Sequence, residues 1–173
     1  AVLIIPFQGD GYVMSLKNIL GAVAIVIMLG ACAQPEGRAA QANAEQAVET
    51  ETLTVETSNG PVQITVEIAD DDQERSRGLM FRPPLADNYG MLFHFQHPER
   101  ASFWMRNTPS TLDIIFIGVD GRILNIAEFT TPYSDAGVPS AGVARGVLEI
   151  RGGHAAELGI QPGDRVRHRI FPG

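Results

Sequence analysis

From Leu53 to Ile170 the chain is cut into short apolar runs, most of them bounded by Gly, Pro, Asn or Asp. That punctuation rules out long helices and calls for a fold built from short strands. Leu53 to Thr57 and Val62 to Ile68 alternate apolar and polar residues around Ser58-Asn59-Gly60-Pro61. A period of two turns one face of each segment toward a core, and the Asn-Gly pair suits a tight turn, so a β-hairpin is predicted. Asp70-Asp71-Asp72 precedes Gln73 to Phe81, where the spacing becomes helical. An aspartate N-cap with acidic neighbours favours a helix start, and Pro83-Pro84 is the predicted stop. Further strands are predicted at Met91 to Phe95, Ala101 to Met105, Leu112 to Val119, Ile123 to Phe129, Val143 to Ile150 and Arg165 to Ile170. Asp120-Gly121 is a turn, Thr130 to Ser140 a loop and His154 to Leu158 a short helix. The expected fold is one mostly-β (α+β) domain over residues 52–173, a compact barrel-like sheet with one or two short helices.

The segment before this domain is of a different kind. Lys17 precedes an apolar stretch from Ile19 to Leu29, which closes on Leu29-Gly30-Ala31-Cys32. A basic residue, a short apolar run and small residues before a cysteine are the layout of an export signal ending in a lipid-attachment box. The run falls short of the roughly 20 residues that span a bilayer. Residues 1–31 are therefore expected to be a signal peptide with its true start at Met14, and Cys32 the lipidated residue. Residues 32–51 are rich in Ala, Gln and Glu and have almost no large apolar side chain. They predict a flexible tether with a reach on the order of 25 Å. No aspartate follows Cys32, which favours the periplasmic face of the outer membrane over retention at the inner one.

Composition removes several functions. Lys17 is the only lysine and Cys32 the only cysteine. The domain thus has no lysine for a Schiff base, no nucleophilic thiol and no disulfide, so it must stand on packing. The formal charge of −7 argues against nucleic acid as a partner and against electrostatic adhesion to anionic headgroups. No cofactor motif is present: there is no GxSxG elbow, phosphate loop or dinucleotide fingerprint, and no cofactor or metal is expected.

The densest chemistry lies between Arg75 and Ile117. In Phe103-Trp104-Met105-Arg106-Asn107-Thr108, alternation puts Phe103, Met105 and Asn107 on one face and Trp104, Arg106 and Thr108 on the other. Two readings stand: a pocket mouth, or a core strand ending in a turn capped by Asn107. Met80, four residues from Ser76 on the predicted helix, faces the core or a cleft. Met80, Met91 and Met105 beside Trp104, with His94 and His97, also suggest a copper(I) site, but methionine is more often core filler. Asp113 opens an apolar strand and shares a face with Ile115 and Ile117, where a carboxylate must be paired or hydrogen-bonded.

RSRGLMFRPPL (75–85), GMLF (90–93), SFWMRNTPSTLDIIFI (102–117), VLEI (147–150) and GIQPGD (159–164) together resemble the bacterial and archaeal family called domain of unknown function 192. The resemblance covers about residues 53–169. It implies a small, mostly β, often exported domain and a candidate surface, and it supplies no reaction. It also ties the segment of Arg77 and Arg82 to the strand of Asp113, making these arginines the expected partners of that carboxylate. The alternative is an aspartate held by backbone amides of the nearby turn. GIQPGD also resembles the turn before the closing strand of a PDZ domain, but the helix that would complete a peptide groove does not follow. The candidate ligand pocket is thus Arg77, Met80, Arg82, Trp104, Met105, Asn107, Thr108 and Asp113. The leading expectation is a membrane-tethered envelope module binding a small ligand or a partner protein. The alternatives are an envelope hydrolase using Asp113 with an arginine and a copper-handling protein.

Overall fold

A computed structural model describes residues 2–3 and 49–171. The expected signal peptide, Cys32 and most of the expected tether fall outside the described residues. The strands are β1 (Val2–Leu3), β2 (Thr50–Thr57), β3 (Gly60–Ala69), β4 (Tyr89–Glu99), β5 (Ser102–Trp104), β6 (Leu112–Gly118), β7 (Ile123–Ala127), β8 (Val138–Pro139), β9 (Ala144–Arg151) and β10 (Arg165–Arg167). The helices are α1 (Asp72–Arg77) and α2 (His154–Leu158). Seven strands form one sheet in the order β10-β2-β3-β4-β9-β6-β7, and β1-β5-β8 form a second.

The hairpin forms as its turn residues require. Thr57 pairs with Gly60 across a two-residue turn, and Gly60 has a φ of 114°, open to glycine and strained for other residues. Beyond it, β3 pairs with β4 in parallel, and the connection between them carries α1. Every other pairing is antiparallel. The large sheet curls until its two edge strands meet. Val166 N–H donates to Gly121 O at 2.8 Å, and Ile123 N–H donates to Asp164 O at 2.9 Å. Those bonds stitch β10 to the start of β7 and leave a curled, half-barrel sheet.

Alternation divides the apolar residues between two cores. Leu53, Val55, Ile64, Val66, Leu92, Ile115, Ile117, Leu148 and Ile150 point inside the curl. Met91, Phe93, Phe95, Leu112, Ile114, Phe116 and Val147 point outside, where Phe103, Met105 and Leu79 cover them. The rings of Phe93 and Phe103 meet edge to face at 5.1 Å, and those of Phe103 and Phe116 at 5.9 Å. This aromatic row fastens β5 over β4 and β6; such pairs add about 0.5–1.5 kcal/mol each beyond area burial. All of β6 is buried because both of its faces are covered.

The predicted helix from Gln73 to Phe81 is shorter than expected. Asp71 caps it in a full capping box with Glu74, but Gly78 ends it after six residues, five residues ahead of Pro83. Gly78 adopts a φ of 46°, which lets the chain turn away and bury Leu79. The loop expected over Thr130 to Ser140 contains the two-residue strand β8.

Asp113 is the second departure. It lies on the inner face, fully buried. Its Oδ1 accepts from Phe129 N–H and from Gly153 N–H, both at 2.9 Å, and its Oδ2 accepts from Ala155 N–H at 2.9 Å. Neither Arg77 nor Arg82 is its partner. The amides come from the end of β7 and the first turn of α2, and not from the turn at Asn107 to Ser110. Gly153 has no side chain with which to cap α2, so Asp113 does so from another strand. A Cβ on Gly153 would fall 2.4 Å from the ring of Phe129, so glycine is needed there.

Asp113→Asn should therefore cost about 3 kcal/mol in urea unfolding, because one of the two acceptor oxygens becomes an amide that faces an N–H. Combining it with Arg82→Gln should give the sum of the single effects within about 0.5 kcal/mol. A coupling well above that would restore the aspartate–arginine pair.

Candidate functional site

The outer face of the large sheet carries polar groups that its core does not call for. One cross-strand row reads Glu67 on β3, Met91 on β4, Glu149 on β9 and Ile114 on β6. Alternation puts both carboxylates on the outer side, flanking Met91. Glu67 is buried and held from two directions: Arg82 Nη1 donates to Oε2 at 2.7 Å, and Tyr89 Oη donates to Oε1 at 2.8 Å. The bond from Arg82 to Glu67 raises the arginine's pKa further. Burial raises that of the Tyr89 phenol, and its bond to Glu67 adds to the effect. Glu149 is fully buried, and burial pushes its carboxyl up to about 7.

The roof is the loop after α1. Leu79 anchors it in the outer core, and Phe81 N–H donates to Asn107 O at 2.8 Å. Asn107 Nδ2 lies 3.8 Å from Met80 Sδ. On the other side, Tyr133 N–H donates to Thr108 O at 3.1 Å. Two loops are thus tied to consecutive residues of the turn after β5. Phe81, Asn107 and Tyr133 all have φ between 55° and 60°. Phe81 is 76% exposed and Tyr133 65%. Large aromatic residues rarely adopt this left-handed backbone, and such strain, about 1–3 kcal/mol per residue, clusters at functional sites. At the edge, the Arg106 guanidinium sits 3.7 Å above the Trp104 ring, and its Nε donates to Asp135 Oδ1 at 2.7 Å.

Of the residues expected from sequence, Met80 and Asn107 meet, Arg82 reaches Glu67 from the same loop, and Trp104 lies under Arg106 at the edge. Met105 is buried core, with its Sδ 3.2 Å from Thr130 Oγ1. Thr108 is buried and bonds to Arg106 O, because the strand ends at Trp104 and the backbone reverses at Asn107. Arg77 is exposed on the last turn of α1. Asp113 belongs to the inner face and so stands apart from the site. Sequence reasoning missed Glu67, Tyr89 and Glu149. Glu149 in VLEI carried a usable signal, since a carboxylate at a core position in a buried strand needs a reason.

Beside this end of the sheet lies a second polar group. Arg151 binds Asp87 at 2.7 Å, the carboxylate of Glu157 and His154 Nδ1 at 3.0 Å, while Asn88 N–H points to His154 Nε2 at 3.2 Å. Its members satisfy one another and fix α2 against the start of β4. A depression of about 470 Å³ near α1 is lined by Asp70, Asp71, Asp72, Arg75, Gln96 and His97. Among the described residues no three His, Cys, Asp or Glu side chains are placed to hold a metal.

Comparison with known proteins places this geometry. The model of the domain of unknown function 192 family, described as Uncharacterized ACR, matches residues 53–168. A protein of unknown function from Novosphingobium aromaticivorans, solved as a crystal structure, is 44% identical, with 72% of this chain and 89% of that one covered and a TM-score of 0.69. A putative transcription regulator from Sinorhizobium meliloti is 37% identical over 72% of this chain and 97% of that one, also with a TM-score of 0.69. No curated protein matches.

Glu149 makes the site sensitive to pH. Its carboxyl titrates near 7 in the fold against 4.5 when exposed. Between those values the folded state binds more protons than the unfolded chain. Its contribution is therefore full below about pH 4.5 and is lost as pH rises through about 7, a swing of about 3 kcal/mol. Burial lowers the pKa of His94 and His168, and these groups act in the opposite sense below pH 6.5. The difference between wild type and Glu149→Gln isolates the glutamate. The variant should gain about 2–3 kcal/mol on wild type between pH 5 and pH 8 in urea unfolding. A flat difference would mean that the carboxyl stays ionised in the fold.

Proposed function

Because the chain belongs to the family of domain of unknown function 192, we propose that it acts through the outer-face site as a binding or accessory module of the cell envelope. The observation that supports this reading is the buried pair Glu67 and Glu149 flanking Met91, roofed by a loop with strained, exposed aromatic residues. Buried charged groups are poor stabilisers of a fold, and an apolar pair would pack the same row more cheaply. Aromatic and thioether surface around a few convergent polar groups suits recognition of a small ligand or a partner segment. Attachment would come from a lipid on Cys32, through the residues that precede β2. Among the described residues no helix is long and apolar enough to cross a membrane.

The other readings draw less support. A hydrolase built on Asp113 with an arginine would need a contact that Asp113 does not make among the described residues, where its hydrogen bonds run to backbone amides. For copper(I), Met80 and Met105 would have to give up contacts with Asn107 and Thr130. The Sinorhizobium meliloti protein is described as a putative transcription regulator. The charge of −7 on this chain opposes a DNA-binding role here.

Two measurements test the proposal. Cys32→Ser should abolish palmitate incorporation and move the protein to the soluble fraction while its thermal melt stays the same, because acyl chains are the expected anchor. Continued labelling of the serine variant would sink the tether. Native mass spectrometry of protein isolated from its own membranes should show a bound molecule or partner that is lost on Arg82→Gln. Bare protein in both cases would argue against a binding role for this face.

A further inference from the structure

β5 is three residues long, and it is paired on both sides. β8 takes one edge, with Ser102 opposite Pro139 and Phe103 opposite Val138. The other edge takes β1 in antiparallel register, with Val2 opposite Trp104 and Leu3 opposite Phe103. α1 runs alongside β1, so the added strand lies in a slot between the helix and β5. The accepting strand is rigid, because Phe103 is locked in the aromatic row with Phe93 and Phe116. It also carries an unused donor: Trp104 Nε1 is buried with no hydrogen-bond partner among the described residues. An open strand edge is a template for another chain, and main-chain bonds supply the affinity when one is added.

β1 sits in the part of the chain read above as leaving with the signal peptide. Removal of residues 1–31 would bare the β5 edge beside α1 and Trp104. We propose that β5 is a strand acceptor that binds an extended, apolar peptide segment of a partner protein, antiparallel and beside α1, with Val2–Leu3 holding that place in a chain that carries residues 1–13, ahead of the expected start at Met14. The occupant is a peptide because what the slot offers is backbone pairing on a rigid edge. It is a segment without proline, since proline cannot donate to a ladder. Displacement of the covalently attached strand must overcome its high effective concentration, so a chain that carries residues 1–13 should resist a peptide that the domain without them accepts. The proposal rests on the binding-module reading and on removal of the leader.

The domain can be tested by itself. In the two solved relatives it makes up 89% and 97% of the chain, so it folds without a leader. The probe is an acetylated peptide of sequence AVLII, the first five residues, titrated into residues 48–173 and followed by heteronuclear NMR. The expected result is saturable shifts at the Ser102 to Trp104 amides and along α1. N-methylation of the peptide's Val and Leu amides should weaken binding at least 10-fold, and the full chain should bind at least 10-fold more weakly than the domain. No shifts at β5, or equal binding of the methylated peptide, would overturn strand addition. Equal binding by the full chain would overturn the place-holding role of Val2–Leu3. None of these outcomes depends on Cys32 or Arg82, so failure here is distinguishable from failure of the tether or of the outer-face site.

Discussion

The carboxylate of Asp113 holds three parts of the chain at one point. It sits at the start of β6 in the inner core and accepts N–H groups from Phe129, Gly153 and Ala155. Those amides belong to the exit of β7 and to the junction of β9 with α2. Each would otherwise be a buried donor without a partner, at about 1–3 kcal/mol. A neutral residue could not satisfy all three, and an arginine partner would compete with them. The same contact seats Phe129 over Gly153 and leads the chain into the loop that returns to Thr108 through Tyr133. The site on the outer face is thus built upon a latch on the inner one.

The outer face shows a different balance. Most of its side chains are aliphatic or aromatic, yet one row carries Glu67 and Glu149. Arg82 and Tyr89 both donate to Glu67, whereas burial pushes the carboxyl of Glu149 up to about 7. Two carboxylates in one row thus sit in different surroundings, one held by two side-chain donors and one governed by burial. The roof adds strain to this arrangement, since Phe81, Asn107 and Tyr133 are all held left-handed and two of them expose large rings. Buried carboxylates and strained turns both cost the fold stability, and their meeting at one end of the sheet is what singles out the candidate site.

Much of the secondary structure was legible. Alternation and the Asn-Gly turn placed the hairpin of β2 and β3, and His154 to Leu158 is helical over the predicted residues. The helix before the prolines was overextended because apolar spacing continued through Phe81, while Gly78 ended it so that Leu79 could be buried. β8 was invisible because two residues carry no periodicity. The site was legible in part. Met80 and Asn107 do meet in the fold and Arg82 reaches Glu67 from the same loop, whereas Asp113, read together with them, faces the inner core. Alternation along β6 did assign Asp113 to the face of Ile115 and Ile117; which face lines the site could not be read from that strand.

The sequence by itself determined the local features: strand runs of period two, capped turns, a core without disulfide or lysine, and membership in a family recognisable from RGLMFR and FWMRNT. These depend on neighbours within a few residues, where backbone geometry and side-chain type suffice. Only the tertiary structure decided that β3 and β4 run parallel, that Glu67 and Glu149 share one row across β4, and that Arg82 serves Glu67 and leaves Asp113 to backbone amides. Partners separated by 15 to 42 residues meet only through sheet register and curl. Register is set by the packing of two cores at once, which no single segment encodes.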